Sequence, residues 1–344
     1  MSGPESRGGR HVRFAVSLQN DRPIAETVEH ARLAEDLGYR EIWTNENGHY
    51  RGIFTVASTI AANTVASRIG LGIVNPFHRH PSAIAMEAAA LDEASGGRLM
   101  LGIGAALWNL RSLGEADERT ERPYTATVEA IQIIRALLRG EPVPASEQFT
   151  ISTQARLDFE PLRRDLPVYA GAVNERMLRA AGAYADSVEL GALMSTGYVR
   201  WAIDVIGQGA VAAGRAPATQ DIAAPLMVSI GTDAHAAREA VKTRLAYYLH
   251  RVETVVHTHS GADPGEVQKV REVTTERGVN AGAAAVTDEL IDTFAVAGDP
   301  PLAVRRFREY ADAGLAGLII QHVPGPERVD GLTLIAKEVV PHVI

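Results

Sequence analysis

The sequence predicts a (β/α)8 barrel, and three observations carry that prediction. Short apolar runs alternate with helical segments eight times along 344 residues, the pattern of an all-parallel sheet. Residues 69–106 (IGLGIVNPFHRHPSAIAMEAAALDEASGGRLMLGIGAA) hold two such runs joined by one Ala-rich helical stretch, a spacing that suits a parallel crossover. Eight units of this size favour a closed barrel over an open doubly wound sheet.

Taken in order, residues 12–18 read as the first strand. Pro23 opens a helix whose apolar positions Ile24, Val28, Ala31, Ala34 and Leu37 keep helical spacing until Gly38 stops it. Residues 41–44 form the second strand, 53–67 a helix and 69–74 the third strand. A helix from Pro81 ends at Gly96-Gly97, and the fourth strand (98–103) and a helix (124–139) follow. Residues 140–159 are polar, with β-branched and aromatic residues near alternate positions, and read as a hairpin insertion. Strands at 167–170, 186–190 and 223–230 alternate with helices at 174–184, 198–213 and 234–256. Residues 257–287 are polar and read as a second insertion with one short helix. A helix at 302–313, the eighth strand at 317–321 and a last helix close the chain. The barrel thus carries insertions after strand 4 and helix 4 and before strand 8. Residues 1–11 lack an apolar core and read as a disordered tail, which leaves 12–344 as one barrel domain.

Composition removes several classes of function. A net charge of −8 with no basic run argues against a nucleic-acid surface. The absence of cysteine excludes disulfides, thiolate nucleophiles and Cys-ligated metals. No stretch is apolar enough to span a bilayer, so the expectation is a soluble cytoplasmic protein without membrane partners. The only lysines, Lys242, Lys269 and Lys337, fall on outer helices, which disfavours a Schiff-base aldolase. His78 and His80 find no companion His after strands 1, 5 or 6, so no metal is expected. His250, Glu253 and His257 share one helical face by spacing and read as solvated.

In a barrel the site lies at the C-terminal ends of the strands. There this chain is rich in glycine and poor in lysine, which suits a planar organic cofactor with a phosphate tail. Residues 170–174 (AGAVN) sit where a strand turns into a helix, and backbone N–H groups at such a turn can hold a phosphate.

Four segments carry a family resemblance: VNPFHRHP (74–81), LDEASGGRLMLGIG (91–104), PVYAGA (167–172) and AGDPPLAVRRFREYADAGLAGLII (297–320). They resemble the bacterial-luciferase-like superfamily, most of all its branch dependent on the deazaflavin coenzyme F420, which includes the methylene-tetrahydromethanopterin reductases. The resemblance implies a flavin or deazaflavin at the strand ends. It implies a cis peptide at Gly72–Ile73 supporting the ring, with Asn75 beside the ring's polar edge. It assigns the phosphate end to Gly171, Ala172, Val173, Gly191 and Ala192, and the cofactor side chain to Gly104, Ala105 and Asn109. Many relatives carry Asp-His after strand 2, where this chain has Glu46-Asn47. Asn47 therefore occupies a catalytic position but cannot carry the proton, and Glu46 and His49 become the candidates for proton transfer. Close reductase relatives have a Glu in strand 1 where Ser17 stands here. Phe77 and Trp108 are candidate walls of a substrate pocket, and Arg79 a candidate for an anionic group.

The expected function is an F420-dependent oxidoreductase passing a hydride between the deazaflavin and a small organic substrate. The alternatives are an FMN-dependent luciferase-like monooxygenase and a non-catalytic barrel paralogue serving as a binding partner. Family habit adds a homodimer packed through outer helices of the first half.

Overall fold

The computed structural model describes residues 12–216, 220–322 and 327–343, so the tail expected at 1–11 lies outside the described residues. Nine strands form one parallel sheet: β1 (Arg13–Ser17), β2 (Glu41–Thr44), β3 (Arg68–Val74), β4 (Leu99–Ile103), β5 (Val168–Ala172), β6 (Ser187–Leu190), β7 (Asp221–Ile230), β8 (Ala295–Gly298) and β9 (Gly317–His322). Strands β1 to β7 pair in sequence order, and β9 closes the ring between β7 and β1. This is the predicted (β/α)8 barrel.

The predicted eighth strand is β9. The strand missed in the sequence, β8, pairs with the last residues of β7 (Met227↔Ala295 to Ile230↔Gly298), on the edge that β6 holds lower down. Its four residues follow the helix Asp288–Phe294 without a break, so no turn signal announced them.

Period-two alternation sorts each strand's side chains. Phe14, Val16, Ile42, Ile69, Leu71, Leu101, Val168 and Val188 face outward into one large core against the helices. The inner face holds a separate small cluster of Ala15, Trp43, Met100, Tyr169, Ala223 and Ile319. Trp43 and Tyr169 meet edge to face with centroids 5.4 Å apart. Gly70 is required beside them, because a Cβ there would stand 2.2 Å from the Trp43 ring.

Below that cluster, at the N-terminal ends of the strands, lies a charged network. Arg13 donates to Glu41 (2.6 Å) and to both oxygens of Asp221 (2.8 and 2.6 Å). Arg68 also pairs with Glu41, the Trp43 indole donates to Glu41 at 3.1 Å, and the Tyr169 hydroxyl donates to Asp221 at 2.7 Å. Every buried charge here has a partner, as burial requires.

Several boundaries move for identifiable reasons. The helix expected over 53–67 ends at Ala62, where the Arg98 guanidinium takes the carbonyls of Ala61 (2.8 Å), Thr64 (3.0 Å) and Ser67 (2.7 Å). The insertion at 140–159 is not a hairpin. One backbone bond crosses it, Val143 N–H to the Thr153 carbonyl at 3.1 Å. The Glu129 carboxylate fixes its turn instead, accepting from Ser146 Oγ (2.6 Å) and Gln148 N–H (3.0 Å). The helix expected over 234–256 breaks at Val252, which is extended (ψ 155°). His250 and His257 therefore lie on different helices, and His257 sits within 2.9 Å of Arg271 rather than on a solvated face. The second insertion is more helical than expected, with Pro264–Arg277 and Val279–Ala283.

Candidate active site

A cavity of about 560 Å³ opens at the C-terminal ends of the strands, within the size range of small-molecule sites. Its bed is made by backbone. The Gly72–Ile73 peptide is cis, and the pairing of β3 with β4 slips between Leu71 and Val74, so β3 bulges there. The Gly72 carbonyl accepts from Asn45 Nδ2 (2.7 Å), and Ser17 Oγ donates to Asn45 Oδ1 (2.7 Å). Side chain after side chain, the polar tops of β1 and β2 hold the bulge in β3. A Cβ at Gly171 would stand 3.0 Å from Ile73 Cγ2, and one at Gly104 3.2 Å from Ile73 Cγ1. Gly72, Gly104 and Gly171 thus leave a cradle beside Ile73 that larger residues would close.

On the β5–β6 side, Gly171, Ala172 and Val173 lead into the helix Glu175–Tyr184, and Gly191 and Ala192 follow β6; all of them line the cavity. Asn174 caps the helix by accepting from Met177 N–H at 3.0 Å. The Tyr198 hydroxyl donates to the Val173 carbonyl and pins this turn. A Cβ on Gly191 would meet Val173 Cγ2 at 2.6 Å. A helix N-terminus at a glycine-rich turn suits a phosphate group.

On the opposite side, Glu46, Asn47, Ala105 and Trp108 line the cavity. Glu46 pairs with Arg79 and accepts from Asn75 N–H at 2.8 Å. Five of the residues singled out in the sequence lie behind this wall instead of in it. Asn75 is buried, donating to the Ala105 carbonyl (2.7 Å) and accepting from Phe77 N–H (2.9 Å). Asn109 is buried and accepts from Gly48 N–H (3.2 Å). Arg79 turns to Glu46 and, at 3.6 Å, to Glu87, and Phe77 is outside the lining. His49 is exposed and pairs with Glu115 (3.0 Å), which also binds His78 (2.7 Å). These two histidines hold the Glu115 carboxyl below its ordinary range. The loops after β2, β3 and β4 are thereby tied into one wall.

Sequence reasoning missed several lining residues. Arg122, Tyr124 and Arg176 line the cavity, with the Arg176 guanidinium 4.0 Å from the Tyr124 ring centroid. Arg251, the last residue of the helix Ala234–Arg251, and Glu253, from the break after it, line the cavity as well. The most consequential omission is Glu189, on the inner face of β6. It is 6% exposed, and its Oε2 is buried with no hydrogen-bond partner. Burial alone pushes its carboxyl up to about 8. A signal was present: Ser187, Glu189 and Gly191 alternate onto one face, and a carboxyl in a strand of a closed parallel barrel must point either into helices or into the bore.

Comparison with known proteins agrees with this architecture. The sequence profile of the family described as luciferase-like monooxygenase matches residues 11–317. The 5,10-methylenetetrahydromethanopterin reductase of Methanolobus tindarius is 28% identical over 328 residues, covering 95% of this chain and 99% of that protein. The F420-dependent glucose-6-phosphate dehydrogenase of Nocardia farcinica is 26% identical, covering 97% and 98%. The solved structure of the coenzyme F420-dependent tetrahydromethanopterin reductase from Methanopyrus kandleri superposes with a TM-score of 0.88 at 27% identity, covering 97% of this chain and all of that one. Among the described residues no helix is long and apolar enough to cross a membrane, and no three His, Asp or Glu side chains gather as a metal site.

Proposed function

We propose that this chain, which belongs to the luciferase-like monooxygenase family, is an oxidoreductase that binds coenzyme F420 and passes a hydride between it and a small organic substrate. The observation that carries this reading is the glycine cradle of Gly72, Gly104 and Gly171 beside Ile73, inside a cavity of about 560 Å³. The similarity to F420-dependent reductases and dehydrogenases over nearly the whole chain supports the choice of deazaflavin over flavin.

The residues present fit such a group. The cradle would hold a flat ring, and the turn from Gly171 to Val173, with Gly191 and Ala192, would hold a phosphate at the N-terminus of the helix Glu175–Tyr184. When bound, a deazaflavin supplies a hydride equivalent at one ring carbon. The protein's share is to position the partners and exclude water. Ser17 and Asn45 fix the carbonyl of Gly72. Trp108 forms an apolar part of the wall, and Glu46, salt-bridged to Arg79, presents a carboxylate edge that can orient a substrate hydroxyl or amine. His49 is turned to Glu115, so the proton role considered for it requires that this exposed pair open first.

Fluorescence quenching with F420 and with FMN, each added alone, tests the reading. Micromolar binding of F420 is expected, with FMN much weaker. Binding of neither would end the proposal, and preference for FMN would move the chain to the oxygen-using branch. Glu46→Gln is expected to raise KM more than it lowers kcat.

A further inference from the structure

We propose that Glu189 is the resident acid of the cavity, a neutral carboxyl that donates its hydrogen from the bed to an acceptor atom of the bound ligand. The inference rests on the deazaflavin reading above only for the identity of that ligand.

The geometry sets Glu189 where a donor would be useful. It projects from the inner face of β6, and its two oxygens lie 2.5 and 2.7 Å from the point where a Cβ on Gly72 would stand. Its Oε2 is also 3.4 Å from the equivalent point on Gly102. Glycine at 72 therefore makes room for this carboxyl beside the bulge, whereas at 102 it is the Leu71 carbonyl, 2.3 Å from where a Cβ would stand, that requires glycine; the carboxyl is part of the cavity lining. Oε2 has no hydrogen-bond partner. A buried polar oxygen left without a partner costs on the order of 1–3 kcal/mol, and a charge in that place costs far more. A neutral acid with a free donor, completed when a ligand arrives, resolves both costs.

No neighbour offers Glu189 a counter-charge. The residues paired with it across β5 and β7 are Gly171 and Ala223, and β3 and β4 present Gly72 and Gly102. Asn45, just after β2, with Pro225 of β7 and Gln321 of β9, also line this cavity and carry no charge. Two residues earlier on their strands, Tyr169 and Asp221 are hydrogen-bonded to each other, and Arg13, Arg68 and Glu41 are paired among themselves. Glu46, Arg122, Arg176, Arg251 and Glu253 line the same cavity, yet burial is the sole cause of the upward shift of the Glu189 carboxyl. The group is thus held neutral by its surroundings, in the way that apolar sites keep a catalytic acid protonated near pH 7.

A bound deazaflavin would supply the hydride chemistry; the part of Glu189 is to offer its O–H to an acceptor atom of that ligand, and where the ligand gains charge there the proton would pass from the Glu189 O–H bond to that atom. The carboxylate left behind regains a proton from solvent.

Two measurements on wild type and Glu189→Gln test this. First, an infrared titration of the ligand-free protein should show a carboxylic-acid carbonyl band that survives at neutral pH, vanishes with a midpoint near pH 8 and is missing in the variant. Its absence from wild type at pH 6 overturns the proposal, and this arm does not depend on the variant folding. Second, F420 affinity followed by fluorescence quenching should fall about tenfold per pH unit above that midpoint in wild type. In Glu189→Gln, whose amide remains a donor, it should follow only the ionisation of the ligand itself. Equal pH profiles for the two proteins overturn the proposal and leave the F420 reading standing. No F420 binding at any pH, with the acid band present, overturns the F420 reading and the ligand assigned to this donor.

Discussion

The two ends of the barrel solve the problem of inward-pointing carboxyls in opposite ways. At the N-terminal end Glu41 is fully buried and meets two guanidiniums and an indole N–H. At the C-terminal end Glu189 is nearly as buried and meets no one. The same strands run through both ends, so the difference is one of side-chain supply. Arginines and an aspartate gather round Glu41, whereas the residues paired with Glu189 across the sheet are Gly171 and Ala223. For these two carboxyls, full pairing marks the structural end, and a missing partner marks the end that opens to a ligand.

That contrast can be broken most forcefully from below. Glu41→Ala strips Arg13 and Arg68 of a shared partner and should cost about 3 kcal/mol, at the modest end for buried pairs because both arginines keep some contact with solvent. Urea denaturation measures this, and F420 binding by the protein that remains folded should be unchanged. Next in size, Gly171→Val drives methyl groups toward Ile73 and should weaken F420 binding about a hundredfold, read by the same quenching titration, with little change in circular dichroism.

Glu189→Gln sharpens the comparison in the opposite sense. The folded-state pKa, near 8, lies above the ordinary 4.5, so between those values the folded protein binds a proton that the unfolded chain releases. Wild-type stability should therefore fall as pH rises through this window, by about 1.4 kcal/mol per unit. Between pH 5 and 6.5 Glu189→Gln should gain about 2 kcal/mol on wild type in urea midpoints converted to free energy. The smallest effect is expected for Glu115→Gln, at the rim. Its bonds to His49 and His78 are solvent-screened, so the thermal midpoint at pH 7 and moderate salt should stay where it is.

The barrel was legible because its signals are local. Pro81, Pro123 and Pro300 start helices, Gly38 and Gly140 stop them, and apolar runs of four to seven residues lie between. The bed of the cavity was legible for a related reason, since glycines at strand ends imply close approach. What escaped depends on partners distant in sequence. Asn75 and Asn109 read as site residues by the family resemblance, yet each spends its amide on a neighbouring loop. Glu189 was passed over because a glutamate in a four-residue strand carries no motif. Its meaning comes from a glycine on another strand, Gly72, 117 positions away. The supposed hairpin at 140–159 failed similarly: alternation was present, but the Glu129 carboxylate had already claimed the turn's amides.

The short chain of bonds from Ser17 through Asn45 to the Gly72 carbonyl reaches across three staves of the barrel. A hydroxyl that touches no cargo thereby trims the seat on which cargo would rest. Enzymes built on this plan can be retuned from a remote corner, with one substitution in the opening strand changing the fit while every surface that meets the passenger keeps its own side chain.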